Sequence, residues 1–358
     1  MSISQPIPPR RDGFFIVYNY SHMRRIIEIV LLLCVLLAPW QRSSAAETLL
    51  ETKPVPLSDE LNVGDRIGHI RFLGMLELPN PSIDGMRFSQ LSGLAWDEDD
   101  GILYAISDKG FLFHLRPVIE KDTLTGVKLL KAVPLVALIN KSTKFRQDRI
   151  LDAEGLDILR GHNGRKGDAE LIVGVERTPR IVRFRPDGKP ISEYLLPAPF
   201  RNAKNYRNSN KMLESVCVDT TLGTLSVPEV PLKNERVGYT RIFNIEGKTW
   251  FYPLPEGNRI TALECLGKNK VMVLESNFTG TFGRLLVMLK IATLPTDPSA
   301  TEPVFVENLV ALDTAAGHHI DNFEGLTRHH GNRFFLVSDD NDLFIQRTLL
   351  MYFEVLAE

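Results

Sequence analysis

A short acid-bearing hairpin recurs five times along this chain, and no other feature constrains the fold as strongly. The copies begin Ser92-Gly-Leu-Ala-Trp96, Glu154-Gly-Leu-Asp-Ile158, Glu214-Ser-Val-Cys-Val218, Glu264-Cys-Leu266 and Glu324-Gly-Leu-Thr-Arg328. They close on Leu103-Tyr-Ala-Ile-Ser-Asp108, Leu171-Ile-Val-Gly-Val-Glu176, Thr224-Leu-Ser-Val-Pro-Glu229, Val271-Met-Val-Leu-Glu275 and Phe334-Phe-Leu-Val-Ser-Asp339. Their starts lie 62, 60, 50 and 60 residues apart. A near-constant period built from short apolar strands points to propeller blades, since each unit buries its apolar faces only against its neighbours.

Counting strands between the copies gives the blade size. Phe111–Leu115 and Val133–Ile139 follow the first hairpin, and two further strands follow each of the second, third and fourth. After the fifth comes Leu349–Val355 alone, while Ile67–Leu78 upstream has no partner. Pairing that N-terminal strand into the last blade completes it and closes the ring without exposed sheet edges. The fold class is all-β: a propeller of five four-stranded blades over 66–356. The long connections 121–152 and 177–211 leave room for a sixth. Gly/Asp/Asn punctuation at 97–101, 186–188, 246–247 and 330–332 agrees with short strands joined by tight turns.

Upstream of 66 the pattern differs. Residues 1–22 are polar and Pro-containing and read as a disordered extension or a mis-assigned start ahead of Met23. Residues 23–46 have the parts of a secretory signal: Arg24-Arg25, an apolar run from Ile26 to Ala38, and Ser44-Ala45-Ala46 before Glu47. Cleavage after Ala46 makes the protein periplasmic or secreted, with no stable membrane span in the mature chain. Residues 47–65 read as a linker. Residues 1–46 carry five arginines and two acids, so their loss takes the net charge from −2 to −5. That balance excludes the basic excess expected of a nucleic-acid binder. The mature chain keeps Cys217 and Cys265, on first strands of consecutive blades. An oxidising compartment allows a disulfide between them, whereas two buried small apolar side chains are the commoner arrangement.

In an antiparallel hairpin, residues equidistant from the turn face one another. The opening and closing acids are therefore expected to pair as Glu154/Glu176, Glu214/Glu229, Glu264/Glu275 and Glu324/Asp339, with every pair on one face of the ring. Facing like charges destabilise a sheet, so a cation, a cationic ligand or internal Arg/Lys pairing must compensate. Asp108, Glu154, Glu176, Glu214, Glu229, Glu264, Glu275, Glu324 and Asp339 are the candidate metal ligands, and such hard oxygens suit Ca²⁺. Lys109, Arg177, Arg180 and the basic loop Arg201–Lys211 approach the same face and suit an anionic small molecule. His318-His319 approaches it too, whereas His329-His330 sits in the opposite turn. No nucleophile elbow or phosphate-cradling glycine loop is present.

Phe88–Trp96, Tyr104–Asp108, Asp152–Leu156, Val175–Arg177, Asn322–Leu326 and Val337–Asp340, in this order, resemble the bacterial phytase-like family, often labelled "esterase-like activity of phytase". The resemblance runs from about Ile67 to Val355. It implies a secreted propeller with phosphoester- or ester-directed hydrolysis and Ca²⁺ held by acids, carried over to Asp108, Glu154, Glu176, Glu324 and Asp339. The expected chemistry is a metal-dependent hydrolase with Glu154, Glu324, Arg177 and Lys109 at its catalytic centre. A non-enzymatic propeller that binds a ligand or protein partner at the same face is the alternative.

Overall fold

A computed structural model describes residues 47–137, 152–279, 283–298 and 302–356. The expected signal segment therefore lies outside the described residues.

The chain forms five antiparallel blades around a common axis. The first holds strands Leu91–Asp97, Ile102–Ser107, Phe111–Glu120 and Thr123–Pro134, and the second Ala153–Leu159, Glu170–Val175, Arg180–Phe184 and Pro190–Tyr194. Leu213–Asp219, Gly223–Pro228, Tyr239–Asn244 and Thr249–Pro253 form the third, and Asn258–Gly267, Lys270–Phe278, Leu285–Thr293 and Phe305–Asp313 the fourth. The fifth is assembled from both ends of the chain. Asn322–Arg328, Arg333–Asp339 and Thr348–Val355 pair in order, and Ile70–Leu78 adds the outer strand, from Thr348 opposite Leu78 to Val355 opposite Ile70. Closure by the N-terminal strand is as expected.

The connections that left room for a sixth blade hold outer strands of the first two. In the first blade the outermost four-stranded position belongs to Thr123–Pro134, earlier in the chain than the expected Val133–Ile139. Extending Phe111–Glu120 to ten residues and turning through positive φ at Lys121 and Asp122 brings the chain back at once. Residues 47–65 do more than link. Thr48–Leu49 pairs with the first blade, Lys53–Pro54 with Ile70–Leu78, and Leu50 and Leu57 are buried.

The core is divided into five apolar wedges, one between each pair of neighbouring blades. Between the fifth and first blades, for example, Phe335, Val337 and Tyr352 pack with Leu94, Leu103 and Phe113. This division explains the glycine of the repeat. An added Cβ at Gly155 would lie 2.7 Å from Ser215 Cα and the Val216 nitrogen of the next blade, so only hydrogen lets the inner strands approach. Across another wedge, Cys217 and Cys265 form a disulfide between the inner strands of blades three and four, with Cα atoms 5.5 Å apart. The expectation of two buried thiols is corrected: both cysteines face the same wedge, one from each wall.

Candidate functional site: an acidic mouth at the head of the inner strands

Each inner strand opens with a bulge, and the bulge determines where the acids go. Pairing passes from Ala153–Val175 directly to Gly155–Gly174, leaving Glu154 unpaired, and the same slip leaves Ser92, Glu214, Thr261 and Glu324 unpaired in the other blades. The expected cross-hairpin pairs Glu154/Glu176, Glu214/Glu229 and Glu324/Asp339 are therefore not ladder partners. Asp339 pairs with Asn322 instead. The extra residue re-aims the opening side chain, so acids of different blades meet.

The slip also corrects the fourth copy. Its bulge falls at Thr261-Ala-Leu263, three residues before the expected Glu264-Cys-Leu266, and its closing residue is Ser276, one after Glu275. Neither acid joins the mouth. Glu264 lies farther down its strand, opposite Met272. Burial and the neighbouring Asp157 push its carboxyl well above the usual range, with Arg328 pulling the other way. Glu275 is fully buried between its own blade and blade three. It accepts from Tyr252 Oη at 2.5 Å and Asn258 Nδ2 at 2.7 Å, and Lys290 Nζ stands 2.7 Å away.

Seven of the nine candidate ligands interact in the mouth. Glu176, Glu214 and Glu229 each present a carboxylate oxygen within 4.8 Å of the other two. Glu154 feels Glu324, Glu176, Asp108 and Asp339 as like charges, and Glu214 feels Glu229, Glu154 and Glu324. Burial first, then this repulsion, holds Glu154 and Glu214 well above the usual carboxyl range. The same causes take Glu176 and Glu324 to about 7, Asp339 to about 9 and Asp108 to about 6. Asp108 gives part of its burial effect back to Lys109.

Blade four contributes a cation to this ring in place of an acid. Arg259, next to the bulge, sets Nη1 3.5 Å from Glu229 Oε1, donates from Nη2 to Asn322 Oδ1 at 2.5 Å and from Nε to Ser276 Oγ at 2.7 Å. Asn322 in turn donates to Glu324 Oε1 at 2.6 Å. Lys211 Nζ lies 3.2 Å from Glu229 Oε1. Arg259 and Lys211 at Glu229, with Lys109 beside Asp108, thus face seven carboxyls among the described residues. Among the described residues, Asp108 Oδ1 and Gln90 Oε1 are buried acceptors without a donor. Orphaned oxygens beside clustered carboxylates fit a hard divalent cation, which takes six to eight oxygen ligands.

Residues 86–342 match the phytase-like family, described as "Esterase-like activity of phytase". The chain belongs to the phytase-like family. No curated protein matches it. Among solved structures the chain is similar to the β-propeller domain of Myceliophteria thermophila Cps50 (Swd1), at 10% identity and TM-score 0.40, covering 86% of this chain and 99% of that one. It is also similar to YCF48 from Cyanidioschyzon merolae, at 11% identity and TM-score 0.38, covering 84% and 98%.

In this phytase-like propeller the other sequence candidates scatter. Arg177 is committed to Asp152, Nε to Oδ2 at 2.5 Å, and Lys109 acts on Asp108 and Asp152. Arg180 bonds its own loop at the Thr178 carbonyl. His318 accepts from the Asp313 amide at 2.9 Å within its own loop, and His319 stands 3.5 Å from Asp59 of the N-terminal segment. Sequence reasoning missed Arg259, Asn322 and Gln90. The signal for Arg259 was present: Thr261-Ala-Leu263 keeps the small residue and leucine of Glu-Gly-Leu, and aligning on it puts Arg259 at the mouth.

Proposed function

We propose that this chain is an exported, metal-dependent hydrolase of phosphorylated or otherwise esterified small molecules, acting at the acidic mouth. The observation that carries the proposal is the triad Glu176, Glu214 and Glu229, with oxygens within 4.8 Å of one another among four further acids. These three would hold the cation, with Ca²⁺ the best match to an all-oxygen set, and Glu154, Glu324, Asp339 and Asp108 complete the ring. A divalent cation held there would supply Lewis-acid polarisation of the ester's phosphoryl or carbonyl oxygen. Lys211 and Arg259 hold the anionic head from one side, and Lys109 steadies it from the side of Asp108 and Asp152. Arg177 orients Asp152. Family membership supports hydrolysis. The Cys217–Cys265 disulfide supports an oxidising compartment, as does the signal-like segment 23–46. No helix among the described residues is long and apolar enough to cross a membrane.

A panel of phosphomonoesters, phosphodiesters and carboxylic esters, assayed with Ca²⁺ and with chelator, tests the proposal. Turnover of at least one class is expected with Ca²⁺ and its loss with chelator or in Glu214→Gln. A protein that binds Ca²⁺ yet turns over no class would be a non-enzymatic ligand-binding propeller, and the hydrolase would be ruled out.

A further inference from the structure

Beside the triad a cavity of about 490 Å³ opens between the loops of blades three and four. It meets the acidic mouth through Lys211 and Arg259, which both line it and both pair with Glu229. Its remaining wall is mixed. Arg207 lines it and bonds the Pro231 carbonyl, and among the described residues no carboxylate pairs with Arg207. Glu256 contributes one negative charge. The rest is apolar: Leu254 forms part of the wall, while Val237 and Phe278 stand 53% and 47% exposed at the rim. Two half-exposed apolar side chains at the rim of a cavity of this size offer a ligand apolar surface to bury.

Charge decides what such a cavity accepts. Lys211 and Arg259 are already balanced in part by Glu229, and Glu256 offsets a third cation. The surplus suits a single small anionic head and is too small for a polyphosphorylated polyol. The apolar wall then has nothing to do unless the ligand carries an apolar group next to that head. We infer that this cavity is the subsite for the organic group of an amphiphilic monoester, one compact aryl or alkyl group beside one anionic head, an inference that rests on the acidic mouth as the place of hydrolysis. The head sits toward Lys211 and Arg259, and the apolar group lies against Leu254, Val237 and Phe278.

Non-cleavable phosphonates test this apart from turnover. Binding of 1-naphthylmethylphosphonate, methylphosphonate and inositol hexakisphosphate to the full chain with Ca²⁺ is measured by calorimetry. The naphthyl compound is expected to bind at least tenfold more tightly than the methyl one. In the Phe278→Ser, Val237→Ser double variant that ratio falls toward one. Both residues are rim-exposed, so the melting temperature serves as a check that the variant folds. Equal affinity for the two phosphonates, a ratio unmoved by the double variant, or tightest binding of the hexakisphosphate would each overturn the inference. Absence of hydrolysis with the ratio intact would sink the hydrolase while leaving the subsite standing.

Discussion

Arg259 Nη1 stands 3.5 Å from Glu229 Oε1, and through this contact the blade that lacks the repeat's acids answers those of its neighbours. Glu229 is almost fully buried, so its charge has little water to share it. Removing one member of a buried charged pair costs about 3–5 kcal/mol when nothing else compensates its partner, and Lys211, 3.2 Å from the same oxygen, offsets part of that. Arg259→Met is therefore expected to lower the chelator-treated protein's melting temperature sharply. The loss is expected to shrink in excess Ca²⁺, because a bound cation takes over the same work. Equal losses with and without Ca²⁺ would separate Arg259 from the cation site.

Cation linkage itself can be measured. A ligand that binds only the folded ring stabilises it by about 2.7 kcal/mol at a hundred times its dissociation constant. Calorimetric melting of chelator-treated protein is expected to rise by several degrees on adding Ca²⁺. In Glu214→Gln, which removes one of the three closest carboxylates, the gain is expected to shrink. Melting that ignores Ca²⁺, Mg²⁺ and Mn²⁺ alike would mean that the mouth is neutralised internally, by its basic side chains and by protonation, and holds no cation.

The pH dependence has a definite sign. Glu176 and Glu324 are raised to about 7 and Asp339 to about 9, above their unfolded values. Between the unfolded and folded values the native state binds more protons than the unfolded one, so stability falls as pH rises. In chelator, urea midpoints are expected to decline from about pH 5 to about pH 9. Saturating Ca²⁺ favours the ionised carboxylates and is expected to flatten that decline. A chelator-treated midpoint that climbs through this range would contradict the convergence of the acids.

Gly155 and Gly174 make a matched pair for the inner-strand approach. A Cβ on Gly155 meets Ser215 and Val216 backbone at 2.7 Å, whereas one on Gly174 finds nothing nearer than 3.5 Å. Gly155→Ala is expected to cost about 1–3 kcal/mol by overpacking, and Gly174→Ala much less. Thermal unfolding of the two variants compares them directly.

The Cys217–Cys265 disulfide joins residues 48 apart. Closing a loop of that length removes unfolded-state entropy worth about 4 kcal/mol in the chain-entropy model. The Cys217→Ser, Cys265→Ser variant is expected to unfold at clearly lower urea, and a reductant is expected to shift the parent protein the same way but leave the variant unchanged.

The period of the Glu-Gly-Leu hairpins was sufficient to indicate a propeller and the meeting of its N-terminal strand with Thr348–Val355, because a repeat that cannot bury its faces alone must stack and close; five blades over six was decided by the pairing of 123–134 and 180–194 into the first two blades. The period also put all nine candidate acids on one face, since strand ends alternate regularly between the two faces of a propeller, and all of them but Glu264 and Glu275 meet there. Register was decided elsewhere. One bulged residue per inner strand turned Glu154 and Glu324 away from their hairpin partners, and a slip of three residues removed Glu264 from the mouth. Such slips depend on how closely neighbouring blades pack, as at Gly155 against Ser215. The meeting of Arg259 with Glu229, and of Cys217 with Cys265, likewise joins different blades. Contacts between blades follow from the tilt and spacing of whole sheets, which no single strand's residues encode.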